Sequence, residues 1–201
     1  SDKTLTFAEW TAKLYREWLA TPAGQCYSGQ ELMGKRNFTG ALPFFQQAIN
    51  TDAAHFDAWF LMGCCYYELK RYTEAISAYR QALKLQLEDS DAHNNLGAVY
   101  LAQNKYQEAI DETNLAIKYR PSNSRAHINQ GLIFRAQQRW RDALVSFQLA
   151  ALVQPDDPLA HYYLGVSYAL ARDEVAARQE YQTLRKLDAA LAQQLWDFCF
   201  K

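Results

Sequence analysis

Proline and glycine are scarce in this chain, five and eight among 201 residues. That scarcity leaves no room for a long disordered linker, so the composition reads as one domain. Long apolar runs are also missing. The longest, Ala58 to Tyr67, is about half the roughly 20 residues a bilayer-spanning helix needs, so no direct membrane insertion is expected. No basic-then-apolar leader opens the chain, although a trimmed mature form would have lost one. The expectation is a cytoplasmic protein; a processed exported or anchored form would read the same. Charge of one sign is lacking too, the net value being -1. Non-specific binding to a phosphate backbone feeds on a strong positive excess, so nucleic acid is not an expected partner. Cysteine is too poorly placed for a metal site: Cys64 and Cys65 are adjacent, and Cys26 and Cys199 lie far from them. They read as buried or half-buried thiols in a reducing compartment. No nucleophile motif, P-loop or dinucleotide fingerprint occurs, so no enzyme activity and no cofactor are expected.

What the chain does contain is a period. Glycine recurs at 29, 63, 97, 131 and 165, and alanine at 41, 75, 109, 143 and 177, every gap being 34 residues. Other columns keep the register. Four residues before each glycine stand Gln25, Trp59, His93, His127 and His161, and three after it Leu32, Tyr66, Tyr100, Phe134 and Tyr168. Four after each alanine are Phe45, Tyr79, Thr113, Phe147 and Tyr181. Spacing within a half-unit is helical: Trp59, Met62, Tyr66 and Leu69 are 3, 4 and 3 apart. Gly63 and Ala75 flank the polar break Leu69-Lys70-Arg71-Tyr72-Thr73, which marks two antiparallel helices whose small residues permit close approach. One such pair cannot bury its apolar face alone, so the pairs stack and stability becomes a sum of nearest-neighbour terms.

These columns closely resemble the tetratricopeptide repeat (TPR) pattern of W-x2-L-G-x2-Y, A-x3-F and a late proline, here Pro121 and Pro155. The resemblance covers residues 22–191 as five units: 22–55, 56–89, 90–123, 124–157 and 158–191. It implies an all-α, right-handed superhelix (solenoid) of helix-turn-helix repeats that presents a surface rather than a reaction centre. Capping helices are expected at both ends. Thr6-Phe7-Ala8-Glu9 is a capping box, and Phe7, Trp10, Leu14 and Trp18 make one apolar face over residues 1–21, expected to bury Trp10 and Trp18 against the first unit. Over 189–201, Leu191, Leu195 and Phe198 line a last helix, and Glu174 and Leu184 mark the fifth unit as terminal. The histidine column reads as packing, since whole repeats separate its members by far more than the roughly 2 Å of a metal bond. Asp156-Asp157 reads as a solvated turn, and the Asn37-Phe38-Thr39 sequon as coincidence.

In TPR proteins the first helix of each unit lines the concave groove. Carried across, that frame selects Phe60 and Tyr67 in the second unit, Asn94 and Asn95 in the third, Arg125, Asn129 and Arg135 in the fourth, and Tyr162 and Tyr163 in the fifth. Asn95 and Asn129 hold equivalent positions, and an amide can both donate to and accept from an extended peptide backbone. The two arginines suit a carboxylate, so the partner expected is a protein or peptide, acidic in part. Against the chaperone-type carboxylate clamp, Asn95 and Arg125 match, whereas Phe60, Cys64 and Asn129 do not. The expected function is a non-enzymatic adaptor that binds a peptide segment in this groove. The alternatives are a targeting part of a larger, glycosyltransferase-like enzyme and an assembly protein that self-associates through aromatic terminal helices.

Overall fold

The computed structural model describes residues 6–200; Ser1 to Leu5 and Lys201, which fall within the two expected terminal segments, lie outside them. Among the described residues there are twelve α-helices and no strand. Ten of them form five hairpins: α2 (Pro22–Gly34) with α3 (Phe38–Thr51), α4 (Phe56–Glu68) with α5 (Tyr72–Leu85), α6 (Ser90–Ala102) with α7 (Tyr106–Tyr119), α8 (Ser124–Ala136) with α9 (Trp140–Val153), and α10 (Pro158–Leu170) with α11 (Glu174–Leu187). Before them runs α1 (Phe7–Leu19), and after them α12 (Ala189–Phe200). The chain divides into two compact units, one ending at Leu87 and the other beginning at Glu88. Composition gives no sign of that boundary.

The hairpin turns are built alike. Arg36, Lys70, Asn104, Gln138 and Arg172, again 34 apart, all adopt a left-handed conformation with φ between 57° and 61°. Each sits just past a first helix in a Schellman turn; in the fourth hairpin Arg139 N–H donates to Phe134 O at 2.8 Å and Gln138 N–H to Arg135 O at 3.0 Å. In the second and fourth hairpins the residue after the left-handed one folds back over an aromatic ring: Arg71 lies 4.7 Å from Tyr66, and Arg139 4.3 Å from Phe134.

Within a hairpin the glycine column meets a ring. A Cβ at Gly29, Gly63 or Gly131 would lie within 2.7 Å of Phe45, Tyr79 or Phe147 respectively. The close contact expected between the glycine and alanine columns is therefore mainly glycine on aromatic. At Gly97, where the ring position is the smaller Thr113, the partner helix's backbone is among the nearest atoms, Ala109 O at 3.3 Å. The alanines of the second column are buried at the same interfaces.

In the first compact unit the core gathers Phe45, Ile49, Met62 and Cys65 with the small residues Ala41, Ala48 and Ala58. In the second, Ile128, Phe147 and Leu164 form one cluster, and Val166, Leu184, Ala192 and Leu195 another. Here α12 packs on α10 and α11. Leu195 occupies the space a ring would take against Gly165, and Trp196 lies against Tyr181 with centroids 5.0 Å apart. Phe198 points away from this contact and is exposed; Ala192 completes the buried stripe instead.

The first helix departs from expectation. Its capping box forms, with Thr6 and Glu9 exchanging bonds. Its apolar face, however, is uncovered: Trp10 is 48%, Leu14 44% and Trp18 40% exposed. The reason is geometric. Thr21 caps α2 and turns the chain so tightly that Trp18 O and the Leu19 backbone abut Gly24. Only the end of α1 touches α2, where Gln25 reaches Leu19 O at 2.5 Å and Trp18 meets Tyr27.

Candidate functional site

The first helices of the second compact unit are phased by their caps. Asp89, Asn123 and Asp157 accept from backbone N–H groups of the opening turn at 2.7, 3.2 and 3.0 Å. The caps of α8 and α10 also tie each to the start of the first helix before it, since Asn123 Nδ2 donates to Ser90 Oγ and Ser124 Oγ donates to Asp157 Oδ2, both at 2.8 Å. Asp157 is thus a cap and a bridge rather than half of a solvated pair, whereas Asp156 is exposed. Sequence reasoning missed this ladder because Thr21, His55, Asp89, Asn123 and Asp157 share a position without sharing a side chain. Their common ability to cap is the signal that could have revealed it.

With the helices so held, two clusters form across neighbouring repeats. In the first, Asn129 Nδ2 donates to Asn94 Oδ1 at 2.8 Å, and Asn94 Nδ2 donates to Asn95 Oδ1 at 3.3 Å. Asn94 is only 3% exposed and joins α6 to α8 as a strut. Asn95 and Asn129 are half-buried, held by the strut from either side. In the second cluster the Arg135 guanidinium lies 5.5 Å from the Tyr163 ring. That ring stacks on Phe147 and meets Tyr162 edge-on, each at 5.4 Å. Arg125 stands apart from both, exposed in the first turn of α8. It edges a polar cleft of about 620 Å³ that also contains Asp91, Arg120 and Asp157; Arg120 and Asp91 are an ion pair.

Phe60 and Tyr67 belong to the first compact unit. Phe60 packs between Phe56 and Tyr79 at 5.8 and 5.9 Å, and Tyr67 lies 6.2 Å from Tyr72. Burial pushes the Tyr67 hydroxyl's pKa up.

Other titratable groups near the hairpin interfaces serve the fold. Burial raises the Cys65 thiol to about 12 and Cys26 to about 11, so both stay protonated and poorly nucleophilic. Two of the three column histidines pair with a carboxylate: His93 with Glu112 and His161 with Glu180, both at 2.7 Å. At the third, Ser146 holds the glutamate's place, and His127 bonds to Pro121 O through Nε2 while its buried Nδ1 has no partner. Among the described residues no group of three or more His, Cys, Asp or Glu side chains is placed to hold a metal ion. No helix among them is long and apolar enough to cross a membrane.

Models described as TPR repeat and tetratricopeptide repeat match residues 63–104, 90–123 and 128–192. The chain belongs to the tetratricopeptide-repeat family. Solved structures share the fold. The thermophilic TPR protein TTC0263 of Thermus thermophilus aligns with a TM-score of 0.77 at 15% identity, covering 88% of this chain and 98% of its own. PilF of Pseudomonas aeruginosa aligns at 0.74 and 21% identity, covering 88% and 85%. YrrB, described as a TPR protein with an unusual peptide-binding site, aligns at 0.60 and 21%, covering 92% and 97%. No curated protein matches the chain in sequence.

Proposed function

We propose that the chain is a non-catalytic adaptor whose second compact unit holds a peptide or protein segment along its first helices, α6, α8 and α10. TPR proteins bind protein or peptide partners, and a peptide-binding site is named for the similarly folded YrrB. The observation that carries the reading is the Asn129–Asn94–Asn95 amide chain. A buried strut that fixes two half-buried amides across two repeats prepares them for one extended backbone, since each amide offers a donor and an acceptor at a set separation. Arg125 on one side, and Arg135 with Tyr162 and Tyr163 on the other, then add attraction for carboxylates and a stacking surface. Phe60 and Tyr67 are candidates of the first compact unit, taken by itself.

The test begins with a partner isolated from native extract and then purified. Asn129→Ala and Asn95→Ala each weaken its binding by about 1–2 kcal/mol, the cost of leaving a peptide group unpaired. Arg125→Ala and Arg135→Ala weaken it further, by an amount that shrinks as salt screens the attraction. If all four variants, folded as the parent is, bind with the parent's affinity and salt dependence, this face is not the site.

A further inference from the structure

Two of the most exposed apolar side chains of the second compact unit converge on one cavity. Trp140, opening α9, and Leu170, closing α10, are each 55% exposed. Together with Leu144 they wall a space of about 450 Å³, within the range of ordinary ligand sites. Its only charged lining residues are Arg135 and Arg141. Neither is paired with a carboxylate among the described residues, whereas the neighbouring Arg139 donates to Asp142 at 2.8 Å. An apolar socket ringed by two unneutralised guanidinium groups is complementary to one ligand chemistry, a bulky apolar group beside a carboxylate. The fork of a guanidinium matches a carboxylate in plane and charge, and its attraction strengthens where apolar walls exclude water.

We propose that this socket receives a large aromatic or aliphatic side chain of an acidic partner segment, with an adjacent Asp or Glu held by Arg135 and Arg141. The proposal rests on the peptide-binding reading above, because Arg135 belongs to both places. It adds a specificity element outside the asparagine chain: Arg141 and Trp140 come from a second helix, so a segment lying along the first helices would turn one side chain down between α9 and α10. An acidic segment without a bulky apolar residue leaves the socket unfilled, and a basic one meets like charge.

The probe is a capped pentapeptide with tryptophan at its centre and aspartates on both sides, titrated into the ¹⁵N-labelled chain beside a counterpart carrying lysines in place of the aspartates. The acidic peptide shifts the Trp140 indole resonance saturably, and the lysine peptide does not. Arg141→Glu weakens the acidic peptide roughly tenfold or more, while Arg141→Lys retains part of the affinity because it keeps the charge but loses the fork. Equal binding of the two peptides, binding that leaves Trp140 unmoved, or unchanged affinity in Arg141→Glu would each overturn the proposal. So would a socket filled by a second copy of the chain, seen as concentration-dependent self-association that Arg141→Glu abolishes. Asn129→Ala, remote from the socket wall, keeps the two readings apart. A partner that tolerates Arg141→Glu but not Asn129→Ala removes the socket and leaves the peptide face, whereas one that tolerates both removes the peptide face.

Discussion

At Gly131 a single added methyl carbon would lie 2.5 Å from the edge of Phe147, closer than any carbon pair tolerates, so Gly131→Ala must shift either a buried ring or a helix. Overpacking of this kind costs about 1–3 kcal/mol. Because the strain belongs to the pair, Gly131→Ala combined with Phe147→Leu should cost less than the two single changes added together, read from urea unfolding. Full additivity would mean that the ring does not set the glycine. A second test at this scale concerns His161. The Glu180 hydrogen bond, with the Pro155 carbonyl assisting at 2.8 Å, raises its pKa above the ordinary value of 6.5 despite burial, which acts the other way. A folded pKa above the unfolded one stabilises the fold fully below pH 6.5, and the contribution is lost as pH rises through the raised value. Unfolding free energies taken from about pH 5.5 to about pH 9 should therefore show the advantage of the parent over Glu180→Gln shrinking with pH. An advantage that stays constant, or grows on the alkaline side, would contradict the pairing.

Among the elements, the hairpin turns hide most completely from the sequence. Helix C-termini that turn left-handed usually announce themselves with glycine, yet Arg36, Lys70, Gln138 and Arg172 take that conformation here and only Asn104 is a residue that favours it. The helices around those turns are legible because apolar side chains recur at helical spacing; the turn is not, because its residue is chosen for something other than its backbone. Exposed Gln138, with φ 61°, gives a direct measure. Gln138→Gly relieves the left-handed strain and should stabilise the chain by about 0.5–1 kcal/mol after the entropy glycine adds to the unfolded state, read from the same urea unfolding; a destabilised variant would mean that the turn is not strained. The first helix teaches the converse lesson. Its capping box and apolar stripe were plain in the sequence, but which surface the stripe would cover was not, since the tight turn at Thr21 and Gly24 decides that and leaves Trp10 and Trp18 exposed.

For the molecule as a whole, the period of 34 carries the architecture, and the departures from it carry the candidate site. Asn94, Asn95 and Asn129 stand out against the repeat because they are polar where Phe60, Leu61, Tyr162 and Tyr163 are aromatic or aliphatic. Sequence could locate them on the first helices but could not tell which of them is buried: Asn94 and Asn95 are neighbours of one residue type, and only packing buries the first. Trp140 and Arg141 stand on a second helix, and Arg135 is the one member of their cavity that the first-helix frame supplies. The most direct measurement of the central claim is a hydrogen-exchange footprint of a purified natural partner on the full chain. Bound partner should slow exchange along α6, α8 and α10, around Asn95, Asn129 and Tyr163, and leave α7 and α11 as they were. Protection confined to α1, or to the second helices away from Trp140 and Arg141, would contradict it.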